Sequence, residues 1–148
     1  MTFLKLIRFQ NLFIIAATQY MMRLFIVVPI LAVNGFEPQL DHFHFFLLVF
    51  SSIAITAAGY VINDYFDMKT DLLNRPSTVI VGRKISRRWA MILHIVLNTT
   101  GVFTGVYLSW YVGMPGFGLA YVLAAGLLWF YSTTYKRQFL IGNLIVSI

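Results

Sequence analysis

The sequence predicts an all-α fold, a bundle of membrane-spanning helices, and three observations carry that expectation. Hydrophobic residues make up 59% of the 148 positions and charged residues only 11%, against roughly 25% charged in ordinary soluble domains. The mean hydropathy is +0.79. The apolar residues fall into long runs, each near the roughly 20 residues that a helix needs to cross about 30 Å of hydrocarbon. Lys and Arg gather in alternate connections between those runs, the pattern that orients membrane helices. There is no cysteine, so disulfides and thiolate metal sites are excluded. The net charge of +6 sits between the spans rather than on a soluble domain. It fits basic loops beside anionic membrane lipid and argues against nucleic acid as a partner.

The elements follow in order. The start, through Arg8, is basic. Gln19 and Arg23 interrupt the next apolar run, and no small-residue cleavage site closes it, so it reads poorly as a secretory signal. Span one is predicted over residues 12–33 and span two over residues 43–62. A polar, basic stretch covers residues 63–88, and span three covers residues 89–111. Gly113, Pro115 and Gly116 make a tight connection, since glycine and proline punctuate helices. Span four is predicted over residues 117–135 and is closed by Lys136 and Arg137. A fifth apolar run, residues 139–148, is about half a span. The chain is therefore expected to be truncated, with four full spans and the start of a fifth.

Orientation follows from the basic residues. Lys5 and Arg8 precede span one, and the next loop carries Glu37 and Asp41 without Lys or Arg. The loop after span two carries Lys69, Arg75, Arg83, Lys84, Arg87 and Arg88. The loop after span three is uncharged, and Lys136 and Arg137 follow span four. The N terminus and the second and fourth loops are expected to be cytoplasmic, in a bacterial inner (plasma) membrane. Trp110 and Tyr111 at one boundary, and Tyr131 and Tyr135 at the other, suit aromatic belts.

Three of the five acidic residues lie in one window after span two, in the pattern Asn63-Asp64-x-x-Asp67-x-x-x-Asp71. If the helix continues through it, the three carboxylates share an arc of roughly 60°. Like charges on one stripe repel, and acids at a helix C-terminus oppose the macrodipole. Something positive must compensate. Magnesium is the natural candidate, because it takes one or two carboxylates plus phosphate and water. The pattern lacks the glycine and alternating ligands of an EF-hand, and it lacks the His or Cys of a zinc site.

That string resembles the first Asp-rich motif of the UbiA-type intramembrane prenyltransferases. Asn74-Arg75-Pro76 and Gly82-Arg83-Lys84-Ile85-Ser86 resemble the loop that follows it. Tyr131-Ser132, Lys136-Arg137 and Gly142-Asn143 resemble the family's join between its fourth and fifth helices. Near the start, Ile7-Arg8-Phe9-Gln10-Asn11 resembles its N-terminal signature. The resemblance covers essentially the whole chain. It implies that residues 1–148 form the N-terminal half of one all-helical domain of about nine spans. The implied activity is magnesium-dependent prenyl transfer from an isoprenyl diphosphate to a hydrophobic or aromatic acceptor, either a quinone precursor or a glycerol-phosphate-type lipid precursor. The implied catalytic residues are Asp64, Asp67 and Asp71. Asn63, Asp64 and Asp67 are the implied metal ligands, with Asp71 as ligand or support. Arg75, Lys136 and Arg137 are the implied diphosphate contacts. The resemblance also implies a second acidic motif in a later loop, so the reading frame is expected to continue past Ile148 and the present chain alone to be inactive.

Arg23 lies inside span one, where a charge is costly and is a functional candidate by default. It could meet an acidic group of the acceptor, snorkel, or pair with an acidic residue. His94 reads as a packed histidine on span three, and the polar groups of Asn98, Thr99 and Thr100 read as contacts between helices. A transporter or a non-catalytic membrane scaffold is the alternative reading. A transporter would place its acids near midspan, whereas these sit at a helix end.

Overall fold

A computed structural model describes residues 2–74, 76 and 79–134. Among the described residues the chain is helical, with no strand. In order come α1 (Thr2–Leu6), α2 (Phe9–Met22), a π-helical turn (Arg23–Val27), α3 (Val28–Val33), α4 (His42–Asn74), α5 (Arg87–Tyr111) and α6 (Gly116–Thr133). Four stretches are long and apolar enough to cross a membrane: Phe9–Val33, His42–Asn74, Arg87–Tyr111 and Gly116–Thr133. These are the four predicted full spans. The fifth run, with Tyr135, lies outside the described residues.

Span one is not one regular α-helix. Pro29 has no N–H to give the carbonyl four residues back, and its ring crowds that carbonyl. The backbone ahead of it opens into the wider π turn, and the Val28 N–H bonds the Arg23 carbonyl. Neither change shows in hydropathy, because the residues on both sides are equally apolar.

The long helix α4 positions everything else. It packs on α5 and α6, and its 33 residues make a rod of about 50 Å, well beyond the roughly 30 Å of hydrocarbon. If His42 lies at one interface, the other falls near Ile62, and the last three turns project past the apolar layer. Small residues let α4 and α5 approach closely. The Ser51 hydroxyl donates to the Gly101 carbonyl at 2.7 Å, and a Cβ on Gly101 would stand 2.7 Å from Ile55 Cγ1 and 3.1 Å from the Ser51 carbonyl. His94 is buried as expected, with Nδ1 donating to the Ala58 carbonyl at 2.9 Å. Thr100 corrects the expectation of a contact between helices. Its hydroxyl turns back to Val96 and Leu97 of its own helix.

Each end of the bundle has its own fastening. At one end Asp41 accepts from the backbone N–H and ring Nδ1–H of His44, at 2.7 and 2.8 Å. The His44 ring stacks on Tyr111 with centroids 3.6 Å apart. At the other end Leu6 of α1, Val81 of the loop, Val61 of α4 and Ala90 of α5 form a small buried core. The loop turns at Gly82, whose φ of 87° needs glycine, and a Cβ there would also strike Met68. Ser86 then caps α5 by accepting from the Trp89 N–H at 3.3 Å.

Candidate functional site

The helix does continue through the acidic window, so the stripe predicted from its spacing is realised. Asn63, Asp64, Asp67 and Asp71 line one cavity of about 700 Å³ at the projecting end of α4. Thr56, Gly59 and Tyr60 continue the same face toward the apolar layer, while Leu128, Tyr131 and Ser132 of α6 form the far wall and Ile80 closes it from the loop. The wall between α4 and α6 is tight at Gly59, where a Cβ would come within 3.1 Å of Leu128.

Within the cavity the Asn63 side-chain amide donates to Asp67 Oδ2 at 2.9 Å, one helical turn on. That bond holds the two side chains on a common edge. Asp64 is ion-paired with Arg8 at 3.3 Å. Among the described residues, no three acidic or histidine side chains come close enough to hold one ion by themselves. The donors present are carboxylates and an amide, which are hard oxygen ligands.

The cavity also holds two cations, Lys5 and Arg8, that were not among the expected site residues, although Arg8 lies in the stretch that resembles the family's N-terminal signature. Lys5 and Arg8 face the acids from the start of the chain. Arg8 lies over the Tyr60 ring at 4.7 Å, and Asn11 donates to the Tyr60 hydroxyl at 3.2 Å. The spacing Arg8-x-x-Asn11, one turn apart on a helix, was the available signal. Hydropathy hid it, because both residues precede the first apolar run.

Arg23 is not part of this site. It is 8% exposed, and it donates to the carbonyls of Leu40 and Asp41 at 2.8 and 3.1 Å. Its guanidinium also lies 4.4 Å from the Phe45 ring centroid. The charge inside span one is thus met by backbone dipoles and a ring rather than by a carboxylate. Asp41 and Asp64 stand 23 residues apart along the chain, on or just before α4, which is about 35 Å of helix rise. A separate, mostly apolar cavity of about 460 Å³ lies beside Arg23. Arg75, Lys136 and Arg137, expected as diphosphate contacts, lie outside the described residues. Of the basic residues read as topology, Arg83 braces the loop by donating to the Pro76 carbonyl at 2.7 Å. Arg87 donates to the Tyr65 hydroxyl at 3.0 Å.

Comparison with known proteins bears on this arrangement. The model of the UbiA prenyltransferase family matches residues 20–148. The digeranylgeranylglyceryl phosphate synthase of Methanothermobacter thermautotrophicus is 37% identical over 107 residues, which is 71% of this chain and 36% of that protein. The enzyme of the same name from Sulfurisphaera tokodaii is 38% identical over 94 residues, 64% of this chain and 32% of that protein. A solved structure of a digeranylgeranylglyceryl phosphate synthase superposes with a TM-score of 0.74 at 27% identity, covering 98% of this chain and 47% of the other. The chain thus spans about a third of the length of these curated relatives and about half of the solved one.

Proposed function

The chain belongs to the UbiA prenyltransferase family, and on that premise we propose that its acidic cavity binds the magnesium-complexed diphosphate of an isoprenyl donor for transfer of the prenyl group to a glycerol-phosphate-type lipid acceptor. The observation that carries this reading is the row Asn63, Asp64, Asp67 and Asp71 on one face of α4, lining a cavity with Lys5 and Arg8 opposite. The cavity lies where α4 leaves the apolar layer. A charged diphosphate can therefore stay at the polar boundary while its hydrocarbon lies among the spans.

The donors suit magnesium. That ion binds through one or two carboxylates and completes its shell with water and substrate phosphate. Asn63, Asp64 and Asp67 are the proposed ligands, and Asp71 one turn further is a ligand or their support. Bound there, magnesium supplies Lewis-acid stabilisation of charge developing on the leaving diphosphate. Lys5 and Arg8 offer positive charge on the side facing the acids. Arg75, Lys136 and Arg137 are proposed as further diphosphate contacts. Gly59 and Leu128 bring α4 and α6 close on the apolar side of the cavity.

The acceptor class rests on the relatives' names, which specify a glyceryl phosphate product. An aromatic quinone precursor is the competing acceptor. The test is transfer of labelled geranylgeranyl diphosphate in membranes carrying the complete gene product, with a prenylated glyceryl phosphate and a hydroxybenzoate offered separately, with magnesium and with chelator. Transfer to the glyceryl phosphate alone, lost in chelator, is expected. Transfer to the aromatic acid alone would overturn the acceptor assignment, and full transfer in chelator would overturn the metal.

A further inference from the structure

Arg8 enters the cavity from a backbone conformation that few arginines adopt. Its φ is 52° and its ψ 55°, in the left-handed region that a Cβ disfavours. Neighbouring packing enforces it. Leu6, fully buried against Val61, Val81 and Ala90, fixes the end of α1, and α2 starts at Phe9. The chain must reverse its course between them. The reversal delivers the Arg8 guanidinium to Asp64 at 3.3 Å and over the Tyr60 ring at 4.7 Å. The Arg8 side chain is 47% exposed and that of Asp64 24%, so the guanidinium has room to turn. Arg8 also lies outside residues 20–148, the part matched by the family model.

The oxygen that Arg8 holds belongs to a proposed magnesium ligand. A guanidinium and a divalent cation compete for it, since each neutralises the same carboxylate. Only one of the five guanidinium N–H groups is needed for the Asp64 contact, and an arginine fork suits two phosphate oxygens at once. We propose that Arg8 is an exchange counterion. It neutralises Asp64 in the cation-free protein, yields that oxygen when the magnesium diphosphate enters, and turns onto the diphosphate as a substrate-binding residue. This rests on the diphosphate reading above and assigns Arg8 two successive partners within it.

Two titrations of opposite expected sign test the exchange, both on the complete gene product in lipid nanodiscs by calorimetry. The first uses magnesium alone and the second uses inorganic pyrophosphate at saturating magnesium. In Arg8→Gln, magnesium alone should bind about two- to fivefold tighter, because a half-exposed ion pair no longer competes. Pyrophosphate should bind about tenfold weaker or worse, because a charge-assisted contact is lost. Arg8→Gly accepts the left-handed backbone without strain and should reproduce both shifts, which separates lost charge from altered folding. Arg8→Lys should keep magnesium binding near wild type. Weaker binding of both ligands in Arg8→Gly would mark a purely structural residue and overturn the proposal. Unchanged magnesium affinity in Arg8→Gln and Arg8→Gly would also overturn it. Wild-type protein that binds neither ligand would overturn the diphosphate site itself, and the exchange with it.

Discussion

Asp64 and Asp67 carry the test of the chemistry at the residue scale. Asp64→Asn or Asp67→Asn keeps the side-chain size and removes one anionic oxygen. Losing a preorganised electrostatic contact to a developing charge costs on the order of 10²–10³ in rate. Prenyl transfer by the complete gene product in membranes should fall by about that factor, with the milder loss in Asp71→Asn if Asp71 only supports its neighbours. Stability should change little. Asp64→Asn gives up a half-exposed ion pair with Arg8, a contact worth about 0.2–1 kcal/mol, and relieves repulsion along the stripe. Asp67→Asn still offers an oxygen to the Asn63 amide. Near-wild-type turnover in Asp64→Asn would remove it from the site. The acids were legible because helical spacing alone places them on one face. Arg8 was not, because a left-handed arginine between two helices leaves no trace in periodicity. Arg23 was legible as a charge needing a partner, but its partners are the carbonyls of Leu40 and Asp41, and every residue has a carbonyl.

Helix ends and helix contacts carry the next two tests. The clasp at the start of α4 rests on Asp41, whose carboxyl is held below its ordinary value, first by the backbone N–H of His44 and then by the His44 ring. A carboxyl with a lowered folded value contributes stability that is full above the unfolded value of about 3.9 and is lost as pH falls through the folded one. The melting-temperature gap between wild type and Asp41→Asn should therefore shrink as pH falls below about 4. A gap that persists undiminished well below that pH would contradict the clasp. Along the α4–α5 seam, Gly101→Ala forces a methyl against Ile55 and the Ser51 carbonyl. Overpacking of that kind costs about 1–3 kcal/mol, so the variant should melt earlier in detergent, while a substitution at open Gly126 should not. At this scale the four spans were legible from apolar length, and the overrun of α4 from the continuity of its spacing. The π turn was not, since it arises from a missing N–H at Pro29 rather than from any change in polarity. The seam glycines were visible as letters, but which of them touch depends on how the helices cross.

Charge is distributed over the whole molecule in a way that fixes a prediction about sidedness. Lys5, Arg8, Lys69, Arg83, Lys84, Arg87 and Arg88 all stand at or near the end that holds the acidic cavity, judged by their place on α1, the end of α4, the loop and the start of α5. At the other end Glu37 and Asp41 lie in the α3–α4 connection, and Gln39 donates to the Val112 carbonyl, tying that connection to the α5–α6 turn. Arg23 is the exception among the described basic residues, and its charge is spent on backbone carbonyls there. Positive residues near span ends stay on the cytoplasmic side, so the cavity should open to the cytoplasm. These 148 residues contain no cysteine, so none of them competes with an introduced thiol. Lys69→Cys should resist a membrane-impermeant maleimide in intact cells and react after permeabilisation. Glu37→Cys and Pro115→Cys should react in intact cells. Both positions lie in connections between spans, so the thiols should be reachable without disturbing helix packing. Labelling of Lys69→Cys in intact cells would invert the topology, and it would place the acidic cavity on the outer side of the membrane.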